Sequence, residues 1–191
     1  MQLYGHPFSS YTQKALTALY ENDIPFEFLN LSPDNPDIYA GFAQRWPIRK
    51  FPLLVDGERQ VMEATGIIEY LHVHHPGPSR LIPGDADKAV DVRMLDRFFD
   101  NYIHAPLQKI VADALRPEAD RDPYGVKEAR NTLDTAYAWR DDHMAGREWA
   151  AGSPFSLADC AAAPALFYAD WTHRIGEQFL NVHAYRARLL E

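Results

Sequence analysis

Two hydrophobic periods run along this chain, and the change from one to the other divides it. Up to about residue 75, short apolar stretches of strand character alternate with helical spacing. Leu3-Tyr4 opens a strand, Ser10 to Glu21 follows helical periodicity, and Phe26 to Leu31 reads again as a strand. Leu53-Leu54-Val55 and Gln60-Val61-Met62 flank the dipeptide Asp56-Gly57, the pattern of a hairpin, and a helix is predicted from Glu63 to Leu71. These elements make a small α/β unit. Between His74 and Gly84 the chain carries three prolines and two glycines, the composition of an irregular connection. Beyond it Met94, Leu95, Phe98, Phe99, Tyr102, Ile103, Leu107, Ile110 and Val111 recur at three- and four-residue spacing, the stripe of one long amphipathic helix. Further helices are punctuated by Pro117, Pro123 and Gly146, and Ser156-Leu157-Ala158-Asp159 has the form of a capping box. The expected organisation is an α/β domain over 1–75, a linker over 76–86 and an all-helical bundle over 87–191.

The hairpin region also has the makings of a cradle for a peptide-like ligand. Pro52 cannot donate to a strand ladder and so suits the first position of a strand. A cis bond there would turn the backbone groups of Phe51 outward, where an extended ligand could pair with them as an added strand. The helix after Glu63 presents N–H groups and partial positive charge to a carboxylate, while Glu63 attracts an ammonium group. Together they fit the amino-acid end of a small molecule. The structural alternative for Glu63 is a helix cap.

Composition narrows the partners. A chain of 191 residues, 47% hydrophobic, can bury one good core or two small ones, and no apolar run is long enough to span a bilayer. A net charge of -8 argues against nucleic acid and anionic membranes, both of which select basic surfaces. The single cysteine, Cys160, rules out an internal disulfide and any multi-cysteine metal site. Met1-Gln2-Leu3-Tyr4 enters a strand pattern with no basic stretch leading into an apolar segment, so the expected location is the cytoplasm.

The whole order of elements resembles a glutathione transferase, a thioredoxin-like N-terminal domain joined to an all-α helical-bundle C-terminal domain. The resemblance is carried by Lys50-Phe51-Pro52, the Asp56-Gly57 turn, the run from Glu63 to Leu71, and Ser156 to Asp159 followed by Cys160-Ala161-Ala162-Ala163-Pro164. It implies a homodimer that binds glutathione beside the first domain through Lys50, Phe51, Pro52, Glu63, Ala64 and Thr65, with a small hydrophobic electrophile lying against the second.

By the same resemblance the reactive group lies where the first strand's loop enters the first helix, at His6-Pro7-Phe8-Ser9-Ser10-Tyr11-Thr12. Ser9 is the candidate catalytic residue. Related redox proteins carry a cysteine pair at the positions of Ser9 and Thr12; two hydroxyls exclude a dithiol cycle and a mixed disulfide with glutathione. Activation of the glutathione thiol remains. A thiol of pKa about 8.5 is only a few per cent ionised at neutral pH, so a hydroxyl donating to the sulfur multiplies the available nucleophile. The structural reading of Ser9 is an N-cap. Ser10 is the neighbouring alternative, and the Tyr4 phenol, otherwise a core-edge aromatic, is another.

Three features depart from the family pattern. A serine usually follows the acidic residue of the second motif, and Ala64 keeps its amide but not its hydroxyl, so weaker glutathione binding is expected. Thr65 either replaces that hydroxyl or bonds back to its own helix. Phe51 stands where a smaller aliphatic is common, and the chain ends at Leu189-Leu190-Glu191, an ending that would leave the electrophile site more open. Phe8, Phe98, Tyr102 and Ile103 are the expected lining of that site. His72, His74 and His75 straddle a helix end, where histidine suits the C-terminal dipole, and no metal is expected. Cys160 and Asp159 read as structural. The leading expectation is a serine-type transferase of the zeta or theta kind. The rivals are a non-catalytic binding or regulatory protein on the same fold and a glutathione-dependent isomerase or dehalogenase, the last because Ser9-Ser10 resembles the zeta branch.

Overall fold

Four short strands, β1 (Gln2–Gly5), β2 (Glu27–Asn30), β3 (Leu53–Asp56) and β4 (Arg59–Met62), form a mixed sheet in the order β2-β1-β3-β4. β1 runs parallel to β2 and antiparallel to β3, with Leu3 opposite Leu54, and β3 pairs antiparallel with β4. The computed structural model describes residues 1–191 and divides into two compact units, Met1–Ile82 and Pro83–Glu191.

In the first unit the strand period of two assigns neighbours to opposite faces. Leu3 and Leu54 pack against Ala15 and Leu19 of α1 (Ser10–Glu21) and Ile67 and Leu71 of α3 (Ala64–His74). On the other face Tyr4, Leu53 and Val55 meet Leu31 and Phe42, the latter from α2 (Pro36–Arg45). The hydrophobic pattern did not predict α2, and the reason is physical: Phe42 is its only buried residue, so it carries no stripe. Pro36 at its first turn is the one local mark of its start.

The hairpin expected at Asp56-Gly57 closes on two residues, displaced by one along the chain. Asp56 pairs with Arg59, which leaves Gly57 and Glu58 as its loop, with Gly57 at φ 58 where L side chains are strained. The helix predicted to open at Glu63 starts one residue later and runs on to His74.

The second unit is all helical: α4 (Ala86–Phe98), α5 (Ala105–Ala114), α6 (Pro123–Met144), α7 (Leu157–Thr172) and α8 (Leu180–Arg188). The single long helix expected across Met94 to Val111 is interrupted by a π-helical segment, Phe99–His104, where the Ala105 N–H reaches back five residues to the Asp100 carbonyl. Pro106, which has no N–H to offer, follows directly and accounts for the wider turn. Asp85 caps α4 by accepting from the Lys88 N–H at 3.0 Å, and Asp122 caps α6 by accepting from the Gly125 N–H at 2.8 Å. Phe99, Leu133, Tyr137, Leu166 and Tyr185 are fully buried.

Within this core lies a polar network. The Asp159 carboxylate accepts from the Ala150 N–H (2.7 Å) and Tyr185 hydroxyl (2.6 Å) on one oxygen, and from the Ser156 N–H (2.9 Å) and hydroxyl (2.8 Å) on the other. Burial raises its pKa, while these donors act to lower it. Asp159 thus takes the structural part that its place in the capping box suggested. Cys160, next to it, is fully buried.

Candidate functional site

The turn from β1 into α1 is closed by local bonds. The Ser9 N–H donates to the His6 carbonyl at 2.9 Å, the Phe8 N–H donates to His6 Nδ1 at 3.2 Å, and the Gln13 side chain holds the Pro7 carbonyl at 2.9 Å. Gly5 leaves room for Thr12, whose Cγ2 would lie 2.5 Å from a Cβ at that position. Ser9 is the N-cap of α1, and its hydroxyl oxygen accepts from the Thr12 N–H at 3.2 Å. The structural reading of Ser9 therefore holds, and it leaves the hydroxyl proton available to a ligand. Ser9 is half-buried and Phe8 beside it is 78% exposed.

Of the two alternatives to Ser9, Ser10 points inward and Tyr4 packs its ring in the core. Ser10 is buried, with its hydroxyl enclosed. Tyr4 is a core aromatic, its ring 6.0 Å from that of Phe42.

The second set of predicted residues gathers around the start of α3. The Phe51-Pro52 bond is cis, with Pro52 buried and Phe51 half-buried, its ring 6.5 Å from that of Phe42. Lys50 is exposed. Glu63 sits in the N-cap position at φ 64, a conformation costly for a residue with a side chain, and its carboxylate is exposed and makes no capping bond. The capping alternative is thus excluded for this side chain, whereas the Glu63 carbonyl accepts the helical bond from the Ile67 N–H at 2.9 Å. Ala64 follows, buried, at the first position of α3.

Thr65 is turned into the unit, where its hydroxyl accepts from Lys14 Nζ at 2.8 Å. Lys14 is fully buried and joins α1 to the start of α3. Sequence reasoning missed it. The trace it left is a lysine on the stripe formed by Ala15, Ala18 and Leu19, where a solvated residue would break the pattern.

Of the histidines at the end of α3, His75 ties to the hairpin. His75 Nε2 lies 2.6 Å from Asp56 Oδ2, which also accepts from the Tyr70 hydroxyl at 3.0 Å. The His75 bond first and the Tyr70 bond second hold the Asp56 carboxyl below its usual range. No group of three or more His, Cys, Asp or Glu residues is arranged to hold a metal ion.

Of the predicted electrophile lining, the second unit brings Phe98 and Tyr102 together with Trp139 at a groove beside α6. Ile103 does not reach it. It is fully buried in the core, because the π-helical turn that carries Tyr102 outward carries its neighbour inward. The α6 contribution was not foreseen, since exposed aromatic and threonine positions on a helix carry no pattern of their own.

Comparison with known proteins places this geometry. The family model of the glutathione S-transferase N-terminal domain matches residues 3–79, and that of the C-terminal domain matches residues 113–188. Glutathione S-transferase F6 of Arabidopsis thaliana is 23% identical over 172 residues, 88% of this chain and 83% of that protein. FtsZ-localized protein A of Caulobacter vibrioides is 27% identical over 178 residues, 88% of this chain and 77% of that protein. Among solved structures, a glutathione S-transferase from Methylobacillus flagellatus with GSH bound superposes with a TM-score of 0.88 at 23% identity, over 100% of this chain and 94% of its own. The two family models, in chain order and each on its own structural unit, show that the chain belongs to the glutathione S-transferase family.

Proposed function

We propose that this protein is a serine-type glutathione transferase, with Ser9 as the residue that activates the thiol. The observation that carries the reading is the Ser9 hydroxyl itself: the Thr12 N–H donates to its oxygen at the start of α1, which uses a lone pair and leaves its proton to donate. Donating that proton to the glutathione sulfur stabilises the thiolate, and the partial positive charge of the α1 N-terminus acts in the same direction. The thiolate then forms a carbon–sulfur bond with a small electrophile. The leaving group departs with the bonding electrons, or an addition product takes a proton from solvent. Phe8 is the exposed apolar side chain next to this sulfur position.

The first unit supplies the rest of the glutathione site in this proposal. The backbone of Phe51, next to Lys50 and Pro52, pairs with the cysteinyl part, the exposed Glu63 carboxylate takes the glutamyl ammonium, and the backbone at Ala64 and Thr65 takes the glutamyl carboxylate. With Thr65 turned inward, no hydroxyl supports that carboxylate, and the expected affinity is correspondingly modest. The protein acts as a homodimer in the cytoplasm, and no helix is long and apolar enough to cross a membrane. The Ser9-Ser10 pair keeps a zeta-like isomerase or dehalogenase within the same chemistry.

A non-catalytic binding role is the second reading. Ala64, which lacks the serine hydroxyl, favours it, and so does the similarity to a protein named for its association with FtsZ rather than for a reaction. Calorimetric titration with reduced glutathione and with S-methylglutathione separates the readings when combined with turnover of a general electrophile. Transferase function requires binding of both ligands, and turnover that falls at least tenfold in Ser9→Ala. Binding without turnover supports the second reading; no binding at millimolar ligand rejects glutathione for both.

A further inference from the structure

The imidazole of His6 is held in one tautomer. Its Nδ1 accepts from the Phe8 N–H at 3.2 Å, so in the neutral ring the proton sits on Nε2. Nε2 bonds to no other residue, and the side chain is half-buried with its ring 5.7 Å from that of Phe8. A donor of fixed orientation thus ends where the protein offers it no acceptor.

The turn that carries this donor is anchored at both ends. The His6 N–H donates to the Thr12 hydroxyl at 3.4 Å, and the His6 carbonyl accepts from the Ser9 N–H at 2.9 Å. His6 and Ser9 are therefore the first and last residues of one tight turn. The direction of the His6 side chain follows from β1. Tyr4 belongs to the cluster that includes Phe42 and Phe51, whereas a side chain at Gly5 would run into Thr12 of α1. Continuing the strand's period of two past Gly5 sends His6 to the side of Tyr4 and Phe51. The Ser9 hydroxyl and the Phe51 backbone are the two points between which the proposed function puts the cysteinyl part of glutathione.

We infer that His6 is a second catalytic residue, whose Nε2–H donates to the glutathione sulfur alongside the Ser9 hydroxyl. The inference rests on the reading of this edge as a glutathione site. His6 acts as a donor and not as a base, because Nδ1 is occupied by the Phe8 N–H and Nε2 already carries a proton. The thiol proton leaves to solvent, and the two donors stabilise the thiolate that remains. When a sulfur lone pair forms the carbon–sulfur bond, both donors let go of the sulfur and keep their protons. Since the turn holds the imidazole before the ligand arrives, the donation requires no reorganisation.

The test follows the ultraviolet absorbance of the thiolate in the complex with reduced glutathione, at occupancies matched by calorimetry, for the parent, His6→Asn, His6→Gln and Ser9→Ala. Asparagine keeps an acceptor near the Nδ1 position for the Phe8 N–H and has nothing at Nε2. Glutamine places an amide N–H near the Nε2 position and loses the acceptor. The expected result is about a tenfold loss of thiolate at neutral pH in His6→Asn, with His6→Gln within about threefold of the parent. A side chain that only braces the turn gives the reverse order. That order, an unchanged thiolate fraction in both His6 variants, or an equal loss in both overturns the inference. Ser9→Ala tests the serine reading separately: a loss of thiolate in His6→Asn with none in Ser9→Ala retains His6 and removes Ser9. No binding of glutathione by the parent at millimolar ligand rejects both.

Discussion

Ser9 is an N-cap that accepts from the Thr12 N–H, and in the proposed mechanism the same hydroxyl donates to the thiol. Ser9→Ala then removes both functions while Ser9→Thr preserves them. The expected outcome is a loss of about 1 kcal/mol in stability for Ser9→Ala by urea denaturation, together with the loss of turnover, and near-parental values of both for Ser9→Thr. Tyr4→Phe tests the competing assignment. Phenylalanine keeps the ring packing of Tyr4 on Phe42, so with Ser9 as the activator the variant's steady-state rate should stay within about twofold of the parent. Lys14, to which the sequence analysis gave no role, is a fully buried amine on the Thr65 hydroxyl. Lys14→Ala leaves that hydroxyl without its donor and a void around it, and should cost about 2–4 kcal/mol in the same denaturation measurement.

The β3–β4 hairpin and the end of α3 are tied by Asp56, and the tie has a definite pH dependence. Its carboxyl titrates below its ordinary value of 3.8 in the folded state, so the stabilisation is present above that value and is lost as the pH falls through the lower folded pKa. Asp56→Asn should flatten the acid limb of a plot of melting temperature against pH below about 5 and leave its shape at neutral pH unchanged. The start of α7 depends on Asp159 more heavily. Both of its oxygens accept two hydrogen bonds, so an amide at this position turns an NH₂ toward donors whichever way it is oriented. Asp159→Asn should therefore destabilise by about 3 kcal/mol despite its near-identical shape, as read by chemical denaturation. At this level the capping box was legible because its parts are three residues apart. Helix α2 was not, since one buried phenylalanine leaves no periodicity to read.

Across the chain, the proposed glutathione site belongs to the first structural unit and an aromatic groove to the second. A strip of α4 remains in water, with Val90 62% and Met94 54% exposed one helical turn apart. In the proposed homodimer this strip is a natural contact. Sedimentation should accordingly give twice the 21.8 kDa chain mass at micromolar concentration, and Met94→Glu should shift the equilibrium toward monomer. Sedimentation as a monomer at that concentration would remove the dimer from the proposal.

Apart from α2 and the π-helical break, the order of strands and helices, the hairpin and the helix boundaries marked by proline and capping residues followed from the amino-acid sequence alone, because periodicity and capping act over three to seven residues. The folded structure was needed to show that the Ser9 oxygen accepts from the Thr12 N–H while the Ser10 hydroxyl is enclosed, that Thr65 faces Lys14, and that Ile103 lies in the core while Tyr102 lines a groove. Those outcomes depend on burial, and burial is set by contacts between distant segments: Lys14 and Thr65 lie 51 residues apart in the chain and 2.8 Å apart in space.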